Sequence, residues 1–214
     1  MRQFAFLALM ALAACAATER AIIVRGPQTP AENAEMQRLQ GWAGSLKDRL
    51  ILKNKDLCIA DDARCTLPMT ISFSDVLGAF SSADGITITV PLLHDLKNDD
   101  ELAVILGHEQ AHRLLHHVDN HSRLDAGDER KADCVGSFLA YRAGFDPVLG
   151  SDTMRRIALG ESGQARGPAA FRVFGGGAKQ DWSLRRQTII DAAASARGVG
   201  VSAVMIETAC GVML

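Results

Sequence analysis

The feature that most constrains this chain is the HExxH pattern at residues 108–112. Asn98 and the three acidic residues after it are helix-start signals, and the apolar run 102–115 then predicts a long helix around the motif. Residues four apart in a helix lie about 6 Å from each other on one face. His108 and His112 can therefore direct ring nitrogens at the same metal ion, which is the geometry that a zinc site requires.

Glu109 lies a quarter of a turn away from this face. A carboxylate there is poorly placed to chelate the metal but can reach a water held by it, and we expect it to act as the general base of a hydrolytic site. The alternative is a solvated polar helix face, which would account for His116, His117 and His121. It does not account for the spacing of the motif together with the residues that follow.

A third ligand is needed, and the nearest histidine cannot supply it. His116 continues the same face but lies about 12 Å along the axis from His108, too far to share one ion. The metzincin pattern needs glycine at position 115 and histidine at position 118, where this chain has Leu115 and Val118. That subclass is excluded.

The remaining candidates are carboxylates of a second helix. The turn-like residues 125–128 predict a break, followed by a helix from about Asp128 to Ala143. Glu129 opens this helix, and Asp133 lies one turn later on the same side. We expect Glu129 to be the third ligand and Asp133 to accept the other ring N–H of a ligand histidine. The alternative for both carboxylates is capping and interaction with the helix dipole.

The N-terminus predicts export and lipidation. A basic start precedes the apolar run Phe4–Ala14, which is about half of the ~20 residues that a membrane span needs, so a permanent transmembrane anchor is the weaker reading. Residues 12–15, ending at Cys15, resemble the bacterial lipoprotein box, and Ala16 after the cysteine implies sorting to the outer membrane. We expect a signal peptide at 1–14, a lipidated tether at 15–30 and one domain at 31–214.

The other four cysteines are an even number, as expected of two disulfides in an oxidising compartment. Cys58 and Cys65 flank a polar, turn-like segment, so we pair them with each other and Cys134 with Cys210. Four buried free thiols remain the alternative. The chain has 23 basic and 25 acidic residues, and this near-neutral balance does not suggest nucleic acid as a partner.

Periodicity predicts a mainly helical α+β domain. Apolar residues recur at helical spacing over 31–55, whereas 68–74 and 86–90 alternate as strands do, which predicts a small antiparallel sheet beside the active-site helix. Two further helices are predicted at the C-terminal end, over 183–197 and 201–210. The Gly- and Ala-rich stretch 160–177 is predicted to be a loop.

Residues 129–133 read Glu-Arg-Lys-Ala-Asp, and this ExxAD signature resembles that of the gluzincin metallopeptidases, which include HtpX, the CAAX prenyl endopeptidases, BepA and the mitochondrial Oma-type proteases. Further matching segments occur in the family's order, at 78–80, 86–90, 100–103, 106–109 and 143–147. The resemblance implies a minimal zincin fold that holds one Zn²⁺ per chain through His108, His112 and Glu129, with Glu109 as the base and Asp133 behind the ligands. It also implies that an edge strand at Gly78, Ala79 and Phe80 lies near bound peptide.

The chain departs from this family in two places. Only 16 residues separate His112 from Glu129, far fewer than in the integral-membrane members. Many relatives also carry a His-Pro pair followed by an arginine near the oxyanion, and the corresponding region 179–186 has arginines but no histidine. Arg185 or Arg186 is a possible oxyanion stabiliser. The alternative for both is a solvated start of the last long helix.

Together these features predict a lipid-anchored zinc metalloendopeptidase facing the bacterial periplasm. Its expected substrates are unfolded or misassembled envelope polypeptides. The alternative, motivated by the missing histidine, is a weakly active or inactive zinc-binding lipoprotein that acts as a binding or chaperone module. A third possibility, a coincidental HExxH, predicts no stoichiometric zinc.

Overall fold

The computed structural model describes residues 24–57, 66–82, 84–118, 124–158 and 181–214. In chain order, the elements in these ranges are β1 (Val24–Arg25), α1 (Pro30–Asn54), β2 (Met69–Ser74), β3 (Ala79–Ser82), β4 (Gly85–Thr89), α2 (Val90–Asp95), α3 (Asp99–Leu114), α4 (Ala126–Arg142), α5 (Pro147–Gly150), α6 (Thr153–Ala158), α7 (Trp182–Ala196) and α8 (Ala203–Cys210). The mainly helical α+β class is confirmed. The proposed signal peptide, Cys15, Cys58, Cys65 and the predicted loop 160–177 lie outside the described residues.

The first helix follows its predicted apolar stripe. The Thr29 side chain caps α1 by accepting the backbone N–H of Glu32 at 3.1 Å, and Pro30 begins the helix, where a missing N–H costs nothing. The stripe is buried against the sheet and α3; it consists of Met36, Leu39, Ala43, Leu46 and Leu50. This side of the core supports the helix that carries HExxH.

Helix α3 is the centre of the fold. The Asn98 side chain caps it by accepting the Glu101 N–H at 2.9 Å, as the sequence predicted. Every residue from Glu101 to Leu114 is buried, because α1, β3, α4 and α5 pack around it. A helix buried on all sides is held from several directions, so the side chains of HExxH have little freedom to move.

The sheet is mixed, with strand order β1-β2-β4-β3. β2 and β4 pair in parallel, with Met69 opposite Ile86, whereas β3 pairs antiparallel with β4. The expectation of an antiparallel sheet is therefore wrong for the central pair. The reason is β3, which lies between the two predicted strands along the chain. In the sheet it runs in the opposite direction and takes the outer position beside β4. Two chain reversals then leave β4 parallel to β2.

A pair of glycines brings α3 and α4 into backbone contact. A Cβ placed on Gly136 would lie 2.6 Å from the His108 nitrogen and 2.7 Å from the Gly107 carbonyl carbon. A Cβ on Gly107 would collide with the Gly136 carbonyl oxygen. The two helices can cross this closely only where both residues lack a side chain, and the crossing lies next to His108.

A disulfide joins Cys134 of α4 to Cys210 of α8, with the Cα atoms 5.7 Å apart. This is the pairing expected from the sequence. The bridge spans 76 residues, and in the chain-entropy account closing such a loop stabilises the folded state by about 4.5 kcal/mol. It holds α8 against α4 one residue from Asp133. Among the helices of the described ranges, none has both the length and the apolar character of a membrane span.

Candidate metal centre

Three side chains from α3 and α4 converge at the helix crossing. The Nε2 atoms of His108 and His112 lie 3.0 Å apart, and the Glu129 carboxylate oxygens lie 3.5 Å from His108 Nε2 and 3.6 Å from His112 Nε2. His108 and Glu129 are almost completely buried, at 1% and 0% exposure, and His112 is 5% exposed. Of the described residues, this is the one His/Cys/Asp/Glu cluster with the spacing of a metal site.

The cluster suits a tetrahedral divalent ion. Ligand bonds of ~2.0–2.1 Å to zinc place neighbouring tetrahedral ligands about 3.3 Å apart, close to the three distances observed. Both Glu129 oxygens are buried without a hydrogen-bond donor among the described residues, although Arg185 Nη1 forms an ion pair with Oε2 at 3.2 Å. A buried carboxylate of this kind is costly unless a cation completes its surroundings. Two imidazoles and one carboxylate favour zinc.

Asp133 stands behind His108, on the side away from the cluster. Its Oδ1 lies 2.9 Å from His108 Nδ1, so the carboxylate can hold the ring with Nε2 directed at the ion. Burial by itself would raise the pKa of Asp133, but Arg185 and His108 outweigh this effect and the pKa is lowered. Burial likewise tends to lower the pKa of His108, yet Asp133 and Glu129 raise it to about 9. Nε2 of His108 would have to be unprotonated to hold a metal ion.

The two arginines of α7 do not have the positions expected of oxyanion donors. Arg185 is buried and points toward α4, where its guanidinium contacts Asp133 at 2.6 and 2.7 Å. Arg186 turns outward and pairs with Asp152 at 2.8 Å. The reason is the packing of α7 on α4, which directs Arg185 to Asp133 and to the candidate ligand Glu129. Arg185 therefore supports the ligands of the site from behind.

Glu109 is buried beside the cluster, with 3% of its surface exposed, and it is not one of the three clustered ligands. Burial raises its pKa to about 7; His108 and Arg185 act in the opposite direction, and Glu129 adds to the increase. A general base works best with a pKa near the operating pH. A divalent cation held by the neighbouring residues lowers this pKa and so favours the carboxylate form.

The edge strand β3 packs against α3 next to Glu109. The Ser81 hydroxyl donates to the Glu109 carbonyl oxygen at 3.0 Å, and the Ser81 backbone N–H hydrogen-bonds to the Glu109 carboxylate. Gly78 turns its own N–H and carbonyl toward Thr89, each at 2.9 Å. Because hydrogen-bonded and outward-facing residues alternate in an antiparallel pair, the main-chain groups of Ala79 point away from β4, but the residue itself is completely buried, at 0% exposure. Of the three residues expected near peptide, Gly78 and Ala79 are buried and Phe80 is partly exposed.

The structure also brings His117 to the site, a residue that the sequence left on a solvated helix face. His117 Nδ1 lies 2.9 Å from His112 Nδ1, and the His117 side chain is 11% exposed. Burial lowers the pKa of His117, which favours a neutral ring. Helical spacing gave no signal for this contact. The glycine pair at positions 107 and 136 was also missed, although an isolated glycine inside a predicted helix is a recognised sign of close packing.

Residues 63–127 match the sequence model of peptidase family M48. The matched segment includes the three strands β2–β4 and the HExxH helix, and it ends two residues before Glu129. No curated protein matches the chain. The match is a likeness to a family of peptidases over residues 63–127, and the fold adds a third candidate metal ligand, Glu129, from outside the matched segment.

Proposed function

We propose that this chain is a zinc-dependent endopeptidase that cleaves unfolded or misassembled polypeptides of the bacterial cell envelope. One observation carries the proposal: three ligand atoms converge at a buried point, with a buried glutamate that is not part of the ligand cluster and an edge strand beside it. The M48 match over residues 63–127 supports the same reaction class. Nucleic acid has no part in this proposal.

The side chains have separate roles in the proposed reaction. Bound zinc supplies Lewis acidity to the attacking water and to the scissile carbonyl. Glu109 takes a proton from the attacking water and delivers it to the leaving amine nitrogen. Asp133 orients His108, and Arg185 holds Asp133 in place through two charged hydrogen bonds.

The position of β3 as the outermost strand of the sheet, beside the HExxH helix, favours an extended substrate. A peptide that adds a strand to a sheet edge is held through main-chain hydrogen bonds, and recognition of this kind does not depend on one particular side chain. Folded proteins rarely offer a free extended segment, whereas unfolded ones do. This supports unfolded polypeptides as the substrate class.

The proposal is tested by zinc removal and restoration. The purified full chain should contain one zinc ion and cleave a reduced, alkylated and therefore permanently unfolded protein. Chelation should abolish cleavage, and one equivalent of zinc should restore it, because the site is built from residues that bind a divalent ion. A zinc-loaded chain that suppresses aggregation without cleaving would point to the chaperone alternative. A chain without stoichiometric zinc would contradict the metal site itself.

We further propose that the protein is anchored by a lipid on Cys15 and faces the periplasm. Cell fractionation and alkylation of free thiols test this location. The native chain should sediment with outer membranes with Cys134 and Cys210 protected from alkylation. The Cys15→Ser variant should not be lipidated and should leave the membrane fraction, because it has lost the acceptor for the lipid. A native chain that stayed in the soluble fraction would contradict the lipid anchor. Free reaction of Cys134 and Cys210 with the alkylating agent would contradict the periplasmic location.

A further inference from the structure

His117 contacts a metal-ligating histidine from outside the cluster. Its Nδ1 lies 2.9 Å from Nδ1 of His112, while Nε2 of His112 faces His108 and Glu129 on the opposite side of the ring. The two rings are tilted by 59°, with centroids 5.1 Å apart. The contact is therefore an edge approach of two nitrogens, as a hydrogen bond requires, and not stacking.

A break in the helix creates this contact. In a continuous α-helix, a residue five positions after His112 would be rotated about 140° from it and lie about 7.5 Å further along the axis. Helix α3 ends instead at Leu114, and His116 adopts the left-handed conformation with φ 58°. This turn folds the chain back, so that the ring of His117 lies against the ring of His112.

Metal binding decides which ring donates. A nitrogen that binds a metal must be unprotonated, so with Nε2 of His112 on the ion the single proton of its neutral ring is on Nδ1. His112 is then the donor and Nδ1 of His117 the acceptor. The proton of a neutral His117 lies on Nε2, which faces Asp128 Oδ1 at 3.7 Å. Asp128 is itself held by the capping box at the start of α4.

We propose that His117 is a positioning residue for the metal ligand His112, holding its ring by accepting the Nδ1–H. This inference rests on the metal site of the proposed function. It gives each ligand histidine its own support: Asp133 behind His108 and His117 behind His112. Loss of such a partner typically weakens metal binding by about 10–100-fold.

The test measures zinc affinity by competition with a chelating dye and records the visible spectrum of the Co²⁺-substituted full chain. His117→Leu removes the acceptor and should weaken zinc binding by about 10–100-fold, with a changed Co²⁺ spectrum. His117→Asn places an amide oxygen near the position of Nδ1 and should restore both. His117→Gln is polar but extends its amide one methylene further, and should resemble His117→Leu. The adjacent exposed residue supplies a control. His116→Asn should leave the zinc affinity and the Co²⁺ spectrum unchanged, because asparagine tolerates the φ of 58° at this position.

The outcomes separate this inference from the proposed function. Wild-type protein that binds no zinc would contradict the metal site as a whole. Wild-type protein that binds zinc, together with a His117→Leu variant of equal affinity and unchanged Co²⁺ spectrum, would overturn only the role of His117. Equal weakening by Leu, Asn and Gln would also overturn it, since packing would then be the cause. If circular dichroism of the metal-free chain shows that His117→Leu does not fold, the zinc affinities of His117→Asn and His117→Gln are compared instead. Tighter binding by the Asn variant supports the inference, and equal binding overturns it.

Discussion

Glu109→Gln is expected to lower the rate of polypeptide cleavage by about 10²–10⁴-fold while the chain keeps its full zinc content. The amide has the shape of the carboxylate and can still accept the Ser81 N–H, but it cannot take a proton from the attacking water. Zinc should stay because Glu109 is not one of the three clustered ligands. Initial rates on the unfolded substrate and elemental analysis of the same samples provide the two measurements.

Helix α3 supplies a matched control for this substitution. Glu101 is also a buried glutamate of α3, but it pairs with Arg156 at 2.7 Å, away from the metal ligands. Glu101→Gln should reduce stability and leave the turnover of the folded protein near that of the wild type. A Glu109→Gln variant with wild-type turnover would remove Glu109 from the mechanism. Loss of zinc from that variant would instead assign Glu109 to the integrity of the site.

Gly136→Ala is expected to lower the free energy of unfolding by about 2 kcal/mol and to weaken zinc binding. The new Cβ would lie 2.6–2.8 Å from backbone atoms of Gly107 and His108, and backbone cannot rotate aside as a side chain can. Overpacking of this kind costs about 1–3 kcal/mol or more, which outweighs the gain of up to ~1 kcal/mol in helix propensity. To relieve the collision, α4 must move away from α3 and carry Glu129 away from His108.

The control for this variant is a glycine in an open position of another helix. Gly41 of α1 has no atom within 4 Å of an added Cβ, so Gly41→Ala should raise the free energy of unfolding by up to about 1 kcal/mol. Urea denaturation of the metal-free proteins measures stability, and the dye competition measures zinc affinity. A Gly136→Ala variant as stable as Gly41→Ala would contradict the role of the glycine crossing.

The helices that carry the site were predictable because their signals are local. Cap residues at Asn98 and Asp125 and the apolar run of α3 lie within a few residues of the structures they specify. The spacing in HExxH and the separation of Glu129 from Asp133 follow from helix periodicity alone. The structure places these side chains together at one crossing, where the sequence suggested a shared ion.

The positions of Arg185 and β4 were not predictable in the same way. Arg185 carries a charge that suits an oxyanion donor equally well, and only the packing of α7 on α4 aims it at Asp133. The alternation in 68–74 and 86–90 specifies strands but not their relative direction, which depends on where β3 enters the sheet. In both cases the deciding contact joins segments that are distant along the chain.

By itself, the sequence determined which groups could form a metal site: two histidines and a glutamate at metal-ligand spacing, a separate glutamate proposed for proton transfer, and the helices that hold them. Only the tertiary structure decided how those helices meet, through the backbone contact of Gly107 with Gly136, and which groups stand behind each ligand, through Arg185 and the left-handed turn before His117. The physical reason is range. Helix periodicity and capping act over a few residues, whereas close packing and buried charge pairing depend on atoms that only the folded chain brings together.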